Sequence, residues 1–514
     1  MSSAFFAFSA SRSWVSELTQ HRGKESMVFT SIPGVSPVDI TSFGAVADNL
    51  DSSAAANDAA FIRAYNAVVS AGGGVILVPW GATGAYKTNT GWIIDHDNIA
   101  LVGFGTRGSS PTIQIASTKD PAYALILGNT QTVNNVFVGG LSFNGRNNTT
   151  STGSGLHIRA NGSKLSQVRV SLFGGKGILA ESLSGSVFEN LFEDVNLNQN
   201  GKNALSHDVN MQISGDWNSC EFIRCILNGD IAQSTTTTNM VVLGNYLKFT
   251  DCHCYYGSGD GCFNSGNNNQ FIGGEYETNI VHGIHHTGAN IEIIGTAGYG
   301  NGFVDIGLYG SGRIVGGDYR SVNNENIYCA AQAVIADTTC SGSTNAIFLD
   351  TGTTNASVHD NILSSSSACI LTKSTNSSIH DNELTGGGIT EQTGAQGNDI
   401  HDNFIPSGKT ITIIGTTTAV RNNPGYNPVG SVSTPAFPAS TVGVVNTTGV
   451  DVTAYVVNGA NAITVISIAG ANGTYTATGQ TIGVAGEGVF RLPVGAGIKF
   501  TYAGGSPTWT WFGD

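Results

Sequence analysis

Five stretches of the chain, NGDIA, SGDGC, IVHGI, FVDIG and NENIY, each carry an ionisable residue at or just ahead of a short strand-like run. Aligned on that run, they place Asp230, Asp260, His282, Asp305 and Glu325 at one position. Stacked strands lie about 4.8 Å apart, so the five side chains would form one column. Packing does not explain such a column, because like charges at that spacing repel and raise one another's pKa. Acid–base chemistry does, since breaking a glycosidic bond takes an acid and a base held close to it. Neighbouring turns give about 4.8 Å, compatible with the ~5–5.5 Å carboxyl separation of a retaining enzyme, and alternate turns give about 9.6 Å, near the upper limit for inversion. Asp260 with Asp305 suits inversion, the favoured outcome. Asp230 with Asp260 suits retention if the loop between them displaces no turn.

A second acidic set, Glu275, Glu277 and Asp318, lies later in its repeats. GGEYE and GGDYR align, which puts Glu275 and Asp318 in one column with Tyr276 and Tyr319 beside them. Solvated turn residues account for this set, and so does a carboxylate column with aromatic subsites for sugar rings. Trp217 is a further candidate for the aromatic role. In HGIHH, strand alternation puts His282 and His286 on one face, which leaves a metal site open there. No other spacing in the chain points to a metal, and no cofactor is expected. Elimination from a uronate would need a base and a neutralising group, yet the central cations Arg224, Lys248, Arg313 and Arg320 are scattered.

These columns exist only if the chain folds as stacked turns, and its composition argues for that. Gly accounts for 69 of 514 residues and charged residues for 11%, which excludes coiled coils, helical bundles and charged disordered chains. Gly, Asn, Ser and Thr interleaved with Val, Ile and Phe indicate many short strands joined by turns. SVHDN, SIHDN, DIHDN and RNN then place Asn361, Asn382, Asn403 and Asn423 about 21 residues apart, a solenoid period. In a parallel β-helix these asparagines form an inward column that bonds itself and the turn backbone. The His-Asp-Asn triplets are accordingly read as structural. Looser repeats run from about 95 to 425, among them SCEFIRCILNGD and YLKFTDCHCYYGSGDG. The eight cysteines show no zinc spacing; Cys225 and Cys252, each three residues after a Phe, are read as fillers of one inward slot in successive turns. Buried free thiols are expected throughout, with a Cys329–Cys340 bridge as the competitor.

Charge narrows the partners. A net charge of −14 with only 22 Lys and Arg offers no cationic surface for nucleic acid and favours a neutral or weakly charged polysaccharide. No apolar run reaches the ~18–20 residues of a membrane span. Ala4 to Phe8 is apolar but short and has no basic residue before it, so no secretory signal is read there. An extracellular or virion-tail location is expected.

Ser42 to Val46 (SFGAV), a helix from Asn57 to Ala71 with Asn57 or Ser53 as its cap, Gly72 to Gly74 and a strand Val75 to Pro79 follow in order, and a first rung lies around Ile99 to Gly105. This opening resembles the pectate-lyase superfamily, including phage tailspikes. The resemblance implies a right-handed parallel β-helix with a capping helix and a homotrimer. SGDGCFNSG followed one turn later by VHGIHHTG also resembles the polygalacturonase-like glycoside hydrolases. That likeness implies Asp260 as general acid, Asp230 as a partner in activating water and His282 as a supporting group. Gly261 stands where that family carries its second Asp, and no Arg-x-Lys follows, so the galacturonate-binding part of the pattern is missing.

The expected organisation is a leading segment over 1–36 with Met27 as an alternative start, a β-helix with its capping helix over 37–425, a Pro/Gly linker over 426–437 and an antiparallel β-sandwich over 438–514. The sandwich resembles modules appended to phage tail proteins and would cover the last open strand edge or make a subunit interface. Trp509 and Trp511 share one strand face, as core or as a glycan platform with Phe512. The function expected is hydrolysis within a polysaccharide, with a lyase or a non-catalytic glycan-binding adhesin as alternatives.

Overall fold

The computed structural model describes residues 36–513 except 82–83, 105–109, 147–148, 184, 202–208, 230–237, 322–323, 407, 426–431, 471–472 and 506. Asp230, Met27, nearly all of the leading segment and the first half of the expected linker therefore lie outside the described residues.

One helix and three glycines set the amino-terminal order. Phe61, Ala64 and Val68 share the buried face of the helix Ala54–Ser70, and Phe61 stacks on Trp92 with ring centroids 4.4 Å apart. Gly72, Gly73 and Gly74 then take φ of 81°, 122° and 152°, backbone that side chains disfavour, and release the chain into the strand Gly74–Pro79. Ser53 occupies the N-cap without a side-chain capping bond. Asn57, the other candidate cap, sits inside the helix instead. Its buried amide accepts from Val46 N at 2.7 Å and donates to the carbonyls of Val46 and Lys87 at 3.1 Å, tying helix to strand.

The chain forms two compact units, one ending at Gly307 and one beginning at Leu308. In each, it winds as a right-handed parallel β-helix that gives one strand per turn to each of three sheets. One turn of the first unit runs through Lys248–Thr250, His253–Tyr255 and Cys262–Asn264; the next runs through Gln270–Ile272, Glu275–Glu277 and His282–His286. A three-residue strand buries its middle side chain and turns its neighbours outward. In the first sheet this stacks Phe192, Phe222, Phe249 and Phe271 at 4.7 Å intervals, the spacing of the turns. Single left-handed residues such as Arg224 and Asp251, with φ of 52° and 49°, make the corners. All eight cysteines are free and buried. Cys225 and Cys252 fill equivalent corners, each Sγ donating to the carbonyl of a phenylalanine in the preceding turn.

In the second unit the asparagine column forms as its spacing predicts. Asn361 donates to Asn382 Oδ1 at 2.8 Å, Asn382 to Asn403 at 2.8 Å and Asn403 to Asn423 at 2.9 Å. The same amides also donate to backbone carbonyls, so buried donors stay paired. The unit ends in two small antiparallel sheets. Trp509 and Trp511 are 8% and 1% exposed within the core between them, and Trp509 Nε1 donates to Pro435 O at 2.7 Å. They are core, not a glycan platform, because strand alternation turns both indoles inward. No helix among the described residues is long and apolar enough to cross a membrane.

Candidate functional site

The third sheet of the first unit brings an aspartate and two histidines together at one corner. The strands Cys262–Asn264 and His282–His286 pair in parallel with Phe263 opposite His285. Asp260 lies on the turn before the first strand, and His282 opens the second. His282 Nδ1 lies 2.6 Å from Asp260 Oδ1 and His285 Nδ1 lies 3.0 Å from Oδ2, so one carboxylate holds both rings. The backbone N–H of His282 also donates to Asp260 Oδ1, at 3.2 Å. Phe303 meets the His282 ring edge-on at 5.4 Å and Phe263 meets the His285 ring likewise at 5.2 Å, which limits rotation of both.

Burial by itself would raise the Asp260 pKa. Hydrogen bonds from His282 and His285, reinforced by their charge, outweigh it and hold the carboxyl down to about 2. An ionised carboxylate only accepts, so both Nδ1 atoms carry protons, and each neutral ring keeps its lone pair on Nε2. The rings are 4.5 Å apart. His285 is the more accessible, with its side chain 23% exposed against 6% for His282. Such a pair can take and return protons at Nε2 while Asp260 fixes the tautomers. The three residues are also the group among the described residues whose donor atoms, all within 4.8 Å of one another, could hold a metal ion. A cation bound at these Nδ1 atoms would have to displace both protons.

Other expected site residues lie elsewhere. Asp305 is fully buried. Its Oδ1 accepts from Asn301 Nδ2 at 2.7 Å, and its side chain packs where Gly298 has none. The proposed alignment is one residue out of step there, which in a strand reverses the face. The Asp260–Asp305 inverting pair therefore does not form. Trp217, Tyr276 and Tyr319 are 0%, 2% and 0% exposed; they point inward and offer no face to a sugar. Glu275 and Glu277 do point outward, but on the second sheet. Tyr255 Oη donates to Glu275 at 2.8 Å, and burial, with Glu275 beside it, raises the pKa of Glu277. In the second unit, Asp318 pairs with Arg320 at 2.9 Å, and burial raises the pKa of Glu325.

His286 also faces inward, bonded to Asn264, so His285 rather than His286 joins His282. Alternation fails at His282, which opens the strand ahead of the stretch paired with the preceding turn and bonds Asp260. The register of CFN over IHH was the signal that would have found His285. Gly261 has a physical cause as well: a Cβ there would meet Gly283 O at 2.7 Å and Asn279 Nδ2 at 2.6 Å. The second aspartate of the polygalacturonase pattern has no room.

The fold and corner thus define a right-handed parallel β-helix that bears, among the described residues, an Asp-His-His cluster. No protein-family model and no curated protein matches the sequence. Among solved structures, the chain is similar to the A-module of the mannuronan C-5 epimerase AlgE6 of Azotobacter vinelandii, at 15% identity over 75% of this chain and 98% of that one, with a TM-score of 0.46. It is also similar to ORF18 of Geobacillus virus E2, at 16% identity over 75% of this chain and 61% of that one, TM-score 0.37. A third is the surface adhesin PfbA of Streptococcus pneumoniae, at 12% identity over 75% and 92%, TM-score 0.39. None of these likenesses assigns a reaction.

Proposed function

We propose that the chain cleaves an extracellular or cell-surface glycan by hydrolysis, with Asp260, His282 and His285 as the reacting centre. The observation that carries this reading is one ionised carboxylate orienting two imidazoles on the outward edge of a long sheet. That sheet supplies a track for an extended polymer. Gln212, Val241, Phe263 and His285, all partly exposed, follow one another in register, covering about 14 Å at the usual strand spacing. The acidic balance of the chain favours a neutral or weakly charged glycan on it.

In this reading Asp260 is not the general acid, because a carboxyl held near 2 has no proton to give at neutral pH. The cationic form of His285 delivers the proton to the leaving oxygen, and Asp260 stabilises that cation. The water-activating role falls to Asp230. A second reading is elimination, favoured by the 4.5 Å separation of the two rings. That spacing suits removal and return of protons on one side of a sugar better than groups straddling it.

Products separate the readings on a panel of glycans. New reducing ends without the ultraviolet absorbance of an unsaturated sugar support hydrolysis, and growth of that absorbance supports elimination. Binding with neither product rejects the enzymatic reading. Asp260→Asn is expected to abolish turnover and keep binding; unchanged turnover would remove Asp260 from the site.

A further inference from the structure

A pyranose ring presents hydroxyls around its edge and C–H groups on its faces. The corner of Asp260, His282 and His285 answers the hydroxyls, but Trp217, Tyr276 and Tyr319 are buried, so the faces need another platform beside it. Phe303 has the position. It is the last residue of the turn before Val304, which opens the next strand of the third sheet. Phe303 N donates to Val281 O and Gly302 N to Asn279 O, both at 2.8 Å, which lays this turn in register on the one that carries His282. Gly302 allows so close an approach, since a Cβ there would collide with Ile280 O.

Register therefore sets Phe303 over Val281, the residue before His282. Its ring meets the imidazole edge-on with centroids 5.4 Å apart, yet the residue is 39% exposed, and Ile280 on the adjoining turn is 45% exposed. On the side of the preceding turn, Phe263 meets His285 in the same manner at 5.2 Å and is partly exposed. Single exposed apolar side chains need no explanation. These differ because they border the groups that would react: a glycan whose linkage reaches the two imidazoles lays a neighbouring ring over the side chains beside them. An apolar wall with a few convergent polar groups is also what ligand sites share.

From this placement, and resting on the glycan reading of the corner proposed above, we infer that Phe303 is the stacking platform for the sugar unit next to the cleaved bond. The glycan it takes is built of pyranoses with an unhindered C–H face, such as β-1,4-linked hexosides. Stacking of that kind is directed by the π face, so a larger aromatic side chain keeps it and an aliphatic one of similar bulk does not. Phe303 carries no charge and no hydrogen-bonding group, which matches the neutral or weakly charged glycan that the acidic balance of the chain favours.

Isothermal titration calorimetry on the full chain carrying Asp260→Asn, with β-1,4-linked hexaoses of glucose, mannose and N-acetylglucosamine as probes, tests the inference. At least one probe should bind. Adding Phe303→Ala should weaken that Kd at least ~10-fold, and Phe303→Trp should hold it within ~3-fold, because the indole restores a π face. Without the Asp260 change, Phe303→Leu keeps bulk against His282 and removes the π face, so KM should rise at least ~5-fold with kcat within ~3-fold. A side chain that only steadies His282 would do the reverse, lowering kcat and leaving the Kd of the Asp260→Asn chain alone, and that result would overturn the inference. So would the failure of every probe to bind. Probes that the parent cleaves without dependence on Phe303 would remove the platform and keep the reaction; probes bound through Phe303 but left whole by the parent would keep the platform and remove the reaction.

Discussion

Among the described residues, histidine and aspartate side chains meet in two kinds of arrangement, one in each unit. In the second unit, His359, His380 and His401 each bond the aspartate that follows, at 2.7, 2.8 and 2.7 Å. Their rings stack at 5.1 and 4.9 Å, within 5° of parallel. Those pairings are local, repeat with the turn and leave the carboxylates half exposed. In the first unit the bonds run between turns, and one carboxylate only 13% exposed takes two rings tilted by 49°. Repetition at the period of the solenoid builds architecture. Convergence that breaks the period concentrates charge where solvent screens it least, and there chemistry becomes available.

The comparison is broken most sharply by turnover. Asp260→Asn should lower the cleavage rate at least ~100-fold, the usual scale for losing an acid–base group or its orientation, whereas His380→Ala should change it less than ~2-fold. Equal losses in initial-rate assays would erase the distinction. Stability should order the residues differently. Asn382→Ala breaks buried bonds on both sides and should cost about 2–4 kcal/mol by urea unfolding, and the exposed pair removed by Asp381→Asn should cost under about 0.5 kcal/mol.

Acid should reach the corner only at the low end of the carboxylate range. Asp260 has a lowered pKa in the fold, so its contribution is fully present above the unfolded value of 3.8 and is lost as pH falls toward about 2. That is about 2 kcal/mol by linkage, and the parent should lose it between about pH 4 and 2 while Asp260→Asn does not. The smallest effect belongs to Asp305→Asn. An amide oxygen accepts from Asn301 as the carboxylate does, so turnover should stay within ~3-fold of the parent. A collapse of activity there would restore Asp305 to the site.

Much of this was legible in the residues. The repeated Asn361, Asn382 and Asn403 announced a ladder because a fixed period leaves one register, and Gly72 to Gly74 marked the end of the helix because few other residues tolerate that backbone. Asp260 and His282 aligned correctly, since the turns carrying them have matching lengths. Asp305 was misread because motif likeness does not resolve a one-residue slip, and only strand pairing shows which way a side chain faces. Trp217, Tyr276 and Tyr319 looked like sugar platforms by type, although Tyr276 and Tyr319 take the inward middle position of three-residue strands and Trp217 is buried at the start of a two-residue one. His285 was passed over because alternation was extended to His282, which lies ahead of the stretch paired with the preceding turn.

The central claim is that ionised Asp260 fixes the protons of two imidazoles in the next turn. Two-dimensional 15N–1H correlation of the histidine rings, assigned with His282→Gln and His285→Gln, reads those protons directly. The account predicts the Nδ1–H form for both rings when neutral, disturbed in both by Asp260→Asn. An Nε2–H form for either ring in the parent would contradict it.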